Sequence, residues 1–240
     1  MEYWSAKELD KEFNVVASFY RTEIGNELFQ CRNHALVFRK GISSNQHPDA
    51  MIIMANPGSC SPKDPSYQAP IIQETAQSIP YVQAKVDPTQ RQIMRLMLNM
   101  NWKIVSIINL SDLCTGSMQD FGRMLSVAKN NQYDNHSIFS DARIEERQNS
   151  FMNHKKIILA WGKNSIIREL ACEALGKLPE TNPIFGLAFD NPKWGYRHPF
   201  PMLEVSCKAW LREMCQQLEN NNPPTRRICS KGTFLQSLIK

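Results

Sequence analysis

The run Ala50-Met51-Ile52-Ile53-Met54-Ala55, closed by Asn56-Pro57-Gly58, constrains this chain more than any other stretch. Six consecutive apolar residues with isoleucines at the centre predict a strand buried on both faces, as parallel strands are in α/β proteins. Such a strand needs helices packed above and below it. It also sets down an amide side chain, Asn56, at its carboxyl end, where open α/β sheets bind ligands. As an ordinary strand-to-loop turn the same three residues would carry no function, because Asn, Pro and Gly are common turn residues.

Two later runs repeat the pattern. Ile104-Val105-Ser106-Ile107-Ile108-Asn109-Leu110 also reaches an asparagine at its end, and Lys156-Ile157-Ile158-Leu159-Ala160-Trp161-Gly162 leads into a helix expected near Asn164. Residues 35–40 read as an outer strand and 184–189 as a further short one. Ser5 and Glu8 stand at capping-box spacing for an amino-terminal helix. Asp87-Pro88-Thr89 opens another helix, with Ile93, Leu96, Met97 and Met100 on one face. Residues 117–153 are polar and largely helical, and the charged stretch Asp141–Arg147 is expected to face solvent. A last helix covers about 203–218. Strands alternating with helices predict an α/β fold, a three-layer α/β/α arrangement around a mostly parallel sheet. Neither an internal repeat nor a compositional break divides the 240 residues. One domain over 1–240 is expected, with a motif core at 50–212, an insertion at 59–86 and a basic tail at 219–240. The insertion carries four prolines and reads either as a lid over a site or as a surface excursion.

Composition narrows the class. With 42% hydrophobic and 21% charged residues the chain is that of a soluble globular protein. It has no apolar run near the ~20 residues of a membrane span, and its amino terminus lacks the layout of a secretion signal. Seven cysteines (31, 60, 114, 172, 207, 215 and 229) form no C-x-x-C pair. They are expected to be reduced thiols of a cytoplasmic protein without a metal or other cofactor. A net charge of +5 permits a polyanionic partner without demanding one. Neither a membrane nor an obligate protein partner is indicated.

In a parallel sheet Asn56, Asn109, Gly162 and the loop around His198 would emerge along one rim. That cleft would hold two amides and a histidine, with no evident nucleophile. An amide orients a water or reads the polar edge of a base, and a histidine donates to an oxygen on which charge develops. This equipment suits a reaction whose leaving group departs as an anion and is replaced by water, such as cleavage of an N-glycosidic bond.

The set Asn56-Pro57-Gly58, Ile107-Ile108-Asn109, Leu159-Ala160-Trp161-Gly162 and His198-Pro199-Phe200-Pro201 resembles the ordered motifs of the uracil-DNA glycosylase superfamily, in the branch with Asn-Pro-Gly. It also resembles a bacterial and phage domain family of unassigned function, through these motifs and Asp87-Pro88-Thr89-Gln90-Arg91 and Tyr196-Arg197-His198-Pro199. The resemblance implies that Asn56 positions the attacking water, that His198 stabilises the departing base and that Asn109 hydrogen-bonds the flipped base, beside Pro57 and Gly58. Met202 falls where the superfamily places an apolar wedge, and it reads equally as a helix-start core residue. Gly58 stands where the uracil-restricted branch has a space-filling tyrosine, so a base with a C5 substituent could enter. Phe200 replaces the small hydroxyl residue that contacts a phosphate in the family, leaving Arg91, Lys163 or Arg197 to take that contact. Asp87 or Asp64 could supply a proton to a poorer leaving group, although Asp87 reads more simply as a helix cap.

The expectation is a monofunctional DNA glycosylase acting on a flipped, modified pyrimidine in double- or single-stranded DNA, in a setting of defence against phage with modified DNA. Two rivals stand beside it: a nucleic-acid-binding module of the same fold without turnover, and a hydrolase of free nucleotides.

Overall fold

The structure is a computed structural model that describes residues 3–73, 79–152 and 154–224. Its largest local feature is a hairpin of two long strands, β1 (Phe13–Ile24) and β2 (Glu27–Arg39). Ile24 pairs with Glu27 across a two-residue turn, Gly25-Asn26, and Gly25 takes the left-handed conformation (φ +62°) that such turns require. The other strands are β3 (Ala50–Met54), β4 (Tyr81–Gln83), β5 (Ile104–Asn109), β6 (Ile157–Leu159) and β7 (Ile184–Phe185). They form a seven-stranded sheet in the order β4-β1-β2-β5-β3-β6-β7.

The sheet is mixed, not mostly parallel. β5, β3, β6 and β7 run parallel to one another, whereas β4, β1 and β2 join antiparallel to them and to each other. The hairpin escapes a reading by apolar runs because β1 alternates buried and half-exposed residues at its start. The expected outer strand at 35–40 is the second half of β2, which lies inside the sheet between β1 and β5.

Successive residues of β3 face opposite sides, and all five are buried. Ile52 joins a cluster with Val15, Val37, Ile107 and Ile158 under the helices α1 (Ala6–Glu12), α2 (Pro88–Asn99) and α6 (Glu204–Glu219), which supply Leu9, Ile93, Leu96, Met97, Trp210 and Met214. Ile53 joins the opposite cluster with Ile108, Ile157 and Leu159. There Phe121 of α3 (Met118–Asn130), Phe151 of α4 (Ile144–Met152) and Leu175 of α5 (Arg168–Lys177) close over the sheet. The capping box expected from sequence is formed, Ser5 with Glu8 starting α1, and Asp87 caps α2 in a second box with Gln90.

The stretch 141–147 departs from expectation. Asp141 and Glu145 are exposed, but Arg143 and Arg147 are buried. Arg143 is saturated by Asp112 (2.7 Å), both oxygens of Glu146 (2.8 Å each), Asn33 (2.9 Å) and the carbonyl of Asn135 (3.1 Å). A guanidinium can be buried when all its donors are met in this way. Cys172 is disulfide-bonded, against the expectation of seven reduced thiols. Within the insertion, Pro62 bridges Ala84 and Ile71 bridges Arg21 beside β1; residues 74–78 lie outside the described residues. So do the tail's cations Arg226, Arg227, Lys231 and Lys240. Among the described residues no helix is long and apolar enough to cross a membrane.

Candidate active site

Strand register brings the motif ends together. Met54 pairs with Asn109 and Ile53 with Leu159. Just beyond that pair Ala160 N–H donates to the Ile53 carbonyl (2.9 Å), and Gly162 bridges Tyr196 two residues before His198. The loop after β5 follows the loop after β3, since Leu110 N–H donates to the Met54 carbonyl (2.8 Å) and Ser111 N–H to that of Ala55 (3.2 Å).

Asn56 is half-buried, and its amide orientation is fixed by its partners. Nδ2 donates to the carbonyl of Thr115 at 2.7 Å and to that of Leu113 at 3.5 Å. Carbonyls only accept, so the NH₂ must face them and Oδ1 must face away. Oδ1 has no protein partner among the described residues. Pro57 is buried, and its carbonyl accepts from Cys60 N–H (3.4 Å). Gly58 has φ +66°, a region that favours glycine, and a Cβ there would meet no atom within 4 Å. The space beside it is open.

Asn109 is 0% exposed. Its Nδ2 donates to the main-chain carbonyl of Asn56 at 3.1 Å, and its Oδ1 accepts from Arg32 Nη2 at 3.0 Å. The amide is therefore engaged at both ends, in place of the open, base-facing amide that the resemblance implies. Arg32, from β2, is 1% exposed and had no signal in the sequence, where it sits in the polar run Gln30-Cys31-Arg32-Asn33-His34. The carbonyls of Leu113 and Thr115 leave no trace in a sequence either, because any residue supplies one.

His198 is held by its own loop. Nδ1 lies 3.2 Å from both the amide nitrogen and the carbonyl oxygen of Phe200: it accepts from that N–H when the ring proton is on Nε2 and donates to that carbonyl when the proton is on Nδ1. Burial holds the imidazole below its ordinary pKa of 6.5, while the Phe200 backbone and the charge of Asp87 pull in the other direction. The neutral ring is thus the resting state near neutrality, and Nε2 has no protein partner among the described residues. The loop itself is anchored: Arg197 N–H donates to Leu187 O (2.7 Å), Trp210 Nε1 donates to Arg197 O (3.1 Å) and Trp161 Nε1 to Trp194 O (2.9 Å).

Asp87 links the two sides. Its Oδ1 accepts from Gln90 N–H (2.8 Å), the capping role, and its charge acts on His198. Gln90 Nε2 in turn donates to Cys60 Sγ (3.5 Å), in the loop that follows Asn56. Asp64 is an exposed turn residue whose carboxylate accepts from Ser66 N–H and Oγ.

The residues expected to meet DNA differ in readiness. Arg91 is paired with Asp10 through two hydrogen bonds, at 3.0 and 2.9 Å, and Arg197 with Glu213 at 2.6 Å. Lys163 is exposed, its ammonium 4.7 Å from the Phe189 ring centroid. Phe200 is half-buried. Met202 is 82% exposed, with φ +70°, and stands beside exposed Leu203 and Val205. It is not a core residue.

Other clefts exist elsewhere. One of about 780 Å³ lies between β2 and α4, lined by His34, His47, Tyr81 and His154, and one of about 560 Å³ lies between α3 and α5. Volume alone does not make either the stronger candidate. Two of the three histidines of the first are already engaged: His34 Nδ1 bonds Tyr81 OH and His154 Nε2 bonds Ser106 Oγ. Among the described residues no three His, Cys, Asp or Glu side chains are grouped so as to hold a metal ion.

Neither known protein families nor curated proteins match the chain. Among solved structures, a feruloyl esterase module from Clostridium thermocellum aligns with a TM-score of 0.27 and 9% identity, over 72% of this chain and 53% of that one. The chain spans about half of that protein's length, and a likeness this low carries no argument.

Proposed function

We propose that this chain is a monofunctional DNA glycosylase of the uracil-DNA glycosylase type, built as three α/β/α layers. It hydrolyses the N-glycosidic bond of a flipped pyrimidine that bears a C5 substituent, leaving an abasic site. The observation that carries this reading is the fixed Asn56 amide, its NH₂ held by two carbonyls and its Oδ1 turned away as an acceptor. Such an acceptor can align a water for capture of the sugar cation. Neutral His198, in the tautomer whose Nδ1 accepts from Phe200 N–H, supplies a donor, Nε2–H, for an oxygen of the departing base. One preorganised donor of this kind is typically worth ~10²–10³ in rate.

Gly58 supports the substrate class, because the space beside it is open. Met202, Leu203 and Val205 form an exposed apolar prow next to the His198 loop, suited to occupy the gap left by an extruded base. A defence role against phage with modified DNA follows from that substrate class.

The ion pairs of Arg91 and Arg197 favour a second reading, a hydrolase of free nucleosides or nucleotides, which needs few phosphate contacts. The two separate in one experiment. DNAs carrying different 5-substituted pyrimidines, and the matching free nucleosides, are incubated with the protein, and released bases are identified by mass spectrometry. Base release from DNA, with alkali-labile sites and a steep fall with salt, supports the glycosylase. Release from monomers alone, or none at all, removes it.

A further inference from the structure

Arg32 is buried to 1% exposure and forms no ion pair among the described residues. Its Nη2 donates to Asn109 Oδ1 (3.0 Å), and its Nε is buried without a partner among the described residues. The contrast with Arg143, whose guanidinium faces two carboxylates and an amide, is sharp within one molecule. An uncompensated buried cation is costly, and a buried donor without a partner adds to that cost. Folding alone gives no reason to keep either.

The position of Arg32 suggests what it serves. It stands one hydrogen bond behind Asn109, and Asn109 stands one hydrogen bond behind the Asn56 main chain. Cys114, next to the Thr115 carbonyl that holds Asn56, also feels its charge. In a low-dielectric interior a fixed charge at this range acts strongly on charge that develops in the adjoining cleft.

We infer that Arg32 is the positioning cation of this site: through Asn109 it sets the Asn56 loop, and its unpaired charge provides the positive field toward which the base leaves as an anion. This rests on the glycosylase reading. In that step the C1′–N bond breaks and its electron pair departs with the base. Water then bonds to C1′, and its proton goes to the base or to solvent. Neutral His198 brings no net charge, so Arg32 supplies what the hydrogen bond lacks.

The test compares wild type, R32Q and R32K on single-site oligonucleotides carrying 5-fluorouracil, 5-bromouracil, uracil, 5-hydroxymethyluracil or thymine, a series of decreasing leaving-group acidity. R32Q keeps a donor for Asn109 and removes the charge. Its rate loss should grow along the series, from about tenfold to about thousandfold, while its Tm holds or rises. R32K should restore the wild-type dependence on acidity. A uniform loss with a lowered Tm would mean a structural role and would overturn the inference, as would unchanged rates. Should R32Q not fold, R32K decides, since a steepened dependence with the charge retained also overturns it. If wild type releases no base from any DNA, the glycosylase reading falls and takes the inference with it; the other failures leave that reading standing.

Discussion

Asn109 Nδ2 donates to the main-chain carbonyl of Asn56 across 3.1 Å, so one asparagine of the motif set holds the loop that presents the other. Both sit at the ends of neighbouring parallel strands, and only Asn56 has exposed surface. Asn109→Ala removes both bonds and strands the Arg32 guanidinium without its one partner among the described residues. It should destabilise the fold by about 2–3 kcal/mol, read from urea denaturation, and lower excision even where the protein remains folded. An Asn109→Ala protein of unchanged stability would show that the brace carries nothing.

Asn56→Ala should leave stability within about 1 kcal/mol, since the side chain is half-buried, and should reduce base release about 10²–10³-fold. Asn56→Asp should not restore it. A carboxylate cannot donate to the carbonyls of Thr115 and Leu113, and it would face them with like charge. Single-turnover rates of the two variants on one substrate check both statements.

Acid should weaken the fold through His136. Burial holds this ring at about 4, against 6.5 unfolded, and its Nδ1 lies 3.0 Å from Ser111 Oγ. Between those values the unfolded chain binds the additional proton, so stability present above pH 6.5 is lost as the pH falls through the window, by on the order of 3 kcal/mol. Asp112 opposes this, because burial pushes its carboxyl up to about 6 despite Arg143, and it takes its proton more readily when folded. His136→Asn should flatten the fall in urea midpoint between pH 6.5 and 4, and an unaltered slope would place the acid sensitivity elsewhere.

Arg143→Met should be among the most damaging single changes. It leaves the Asp112 carboxylate, one oxygen of which already has no partner among the described residues, without its ion pair in the interior. Breaking a buried pair from one side costs about 3–5 kcal/mol. Thermal melts of R143M beside R32Q should therefore move in opposite directions, or at least by very different amounts.

Met202→Gly should spare the fold, because φ +70° suits glycine and the side chain is almost free of contacts. If the exposed prow fills the gap left by a flipped base, the variant loses activity on duplex and keeps it on single strands. Equal losses on both would remove that role.

Much of the site was legible because its parts are local. The apolar runs at 50–54, 104–109 and 157–159 mark strands, and each motif sits at a strand end or in the loop that follows. The Asp87 capping box is likewise written in four adjacent residues. Non-local facts were not legible. The β1–β2 hairpin alternates too loosely to read as two strands, and its presence is what makes the sheet mixed. Arg143 looks solvated in its charged heptad, since its partners Asn33 and Asp112 are far away in sequence. Arg32 is hidden for the same reason, and with it the reason Asn109 is fully covered.

The hairpin has a further consequence. Arg32 arrives on an antiparallel strand, while the loops it underlies come from the parallel half of the sheet. Cleft shape and cleft potential are thus inherited from different segments of polypeptide. A chain could retain every motif loop and, through a single change in the hairpin, lose the field behind them, so two proteins with the same motifs need not share the same reactivity.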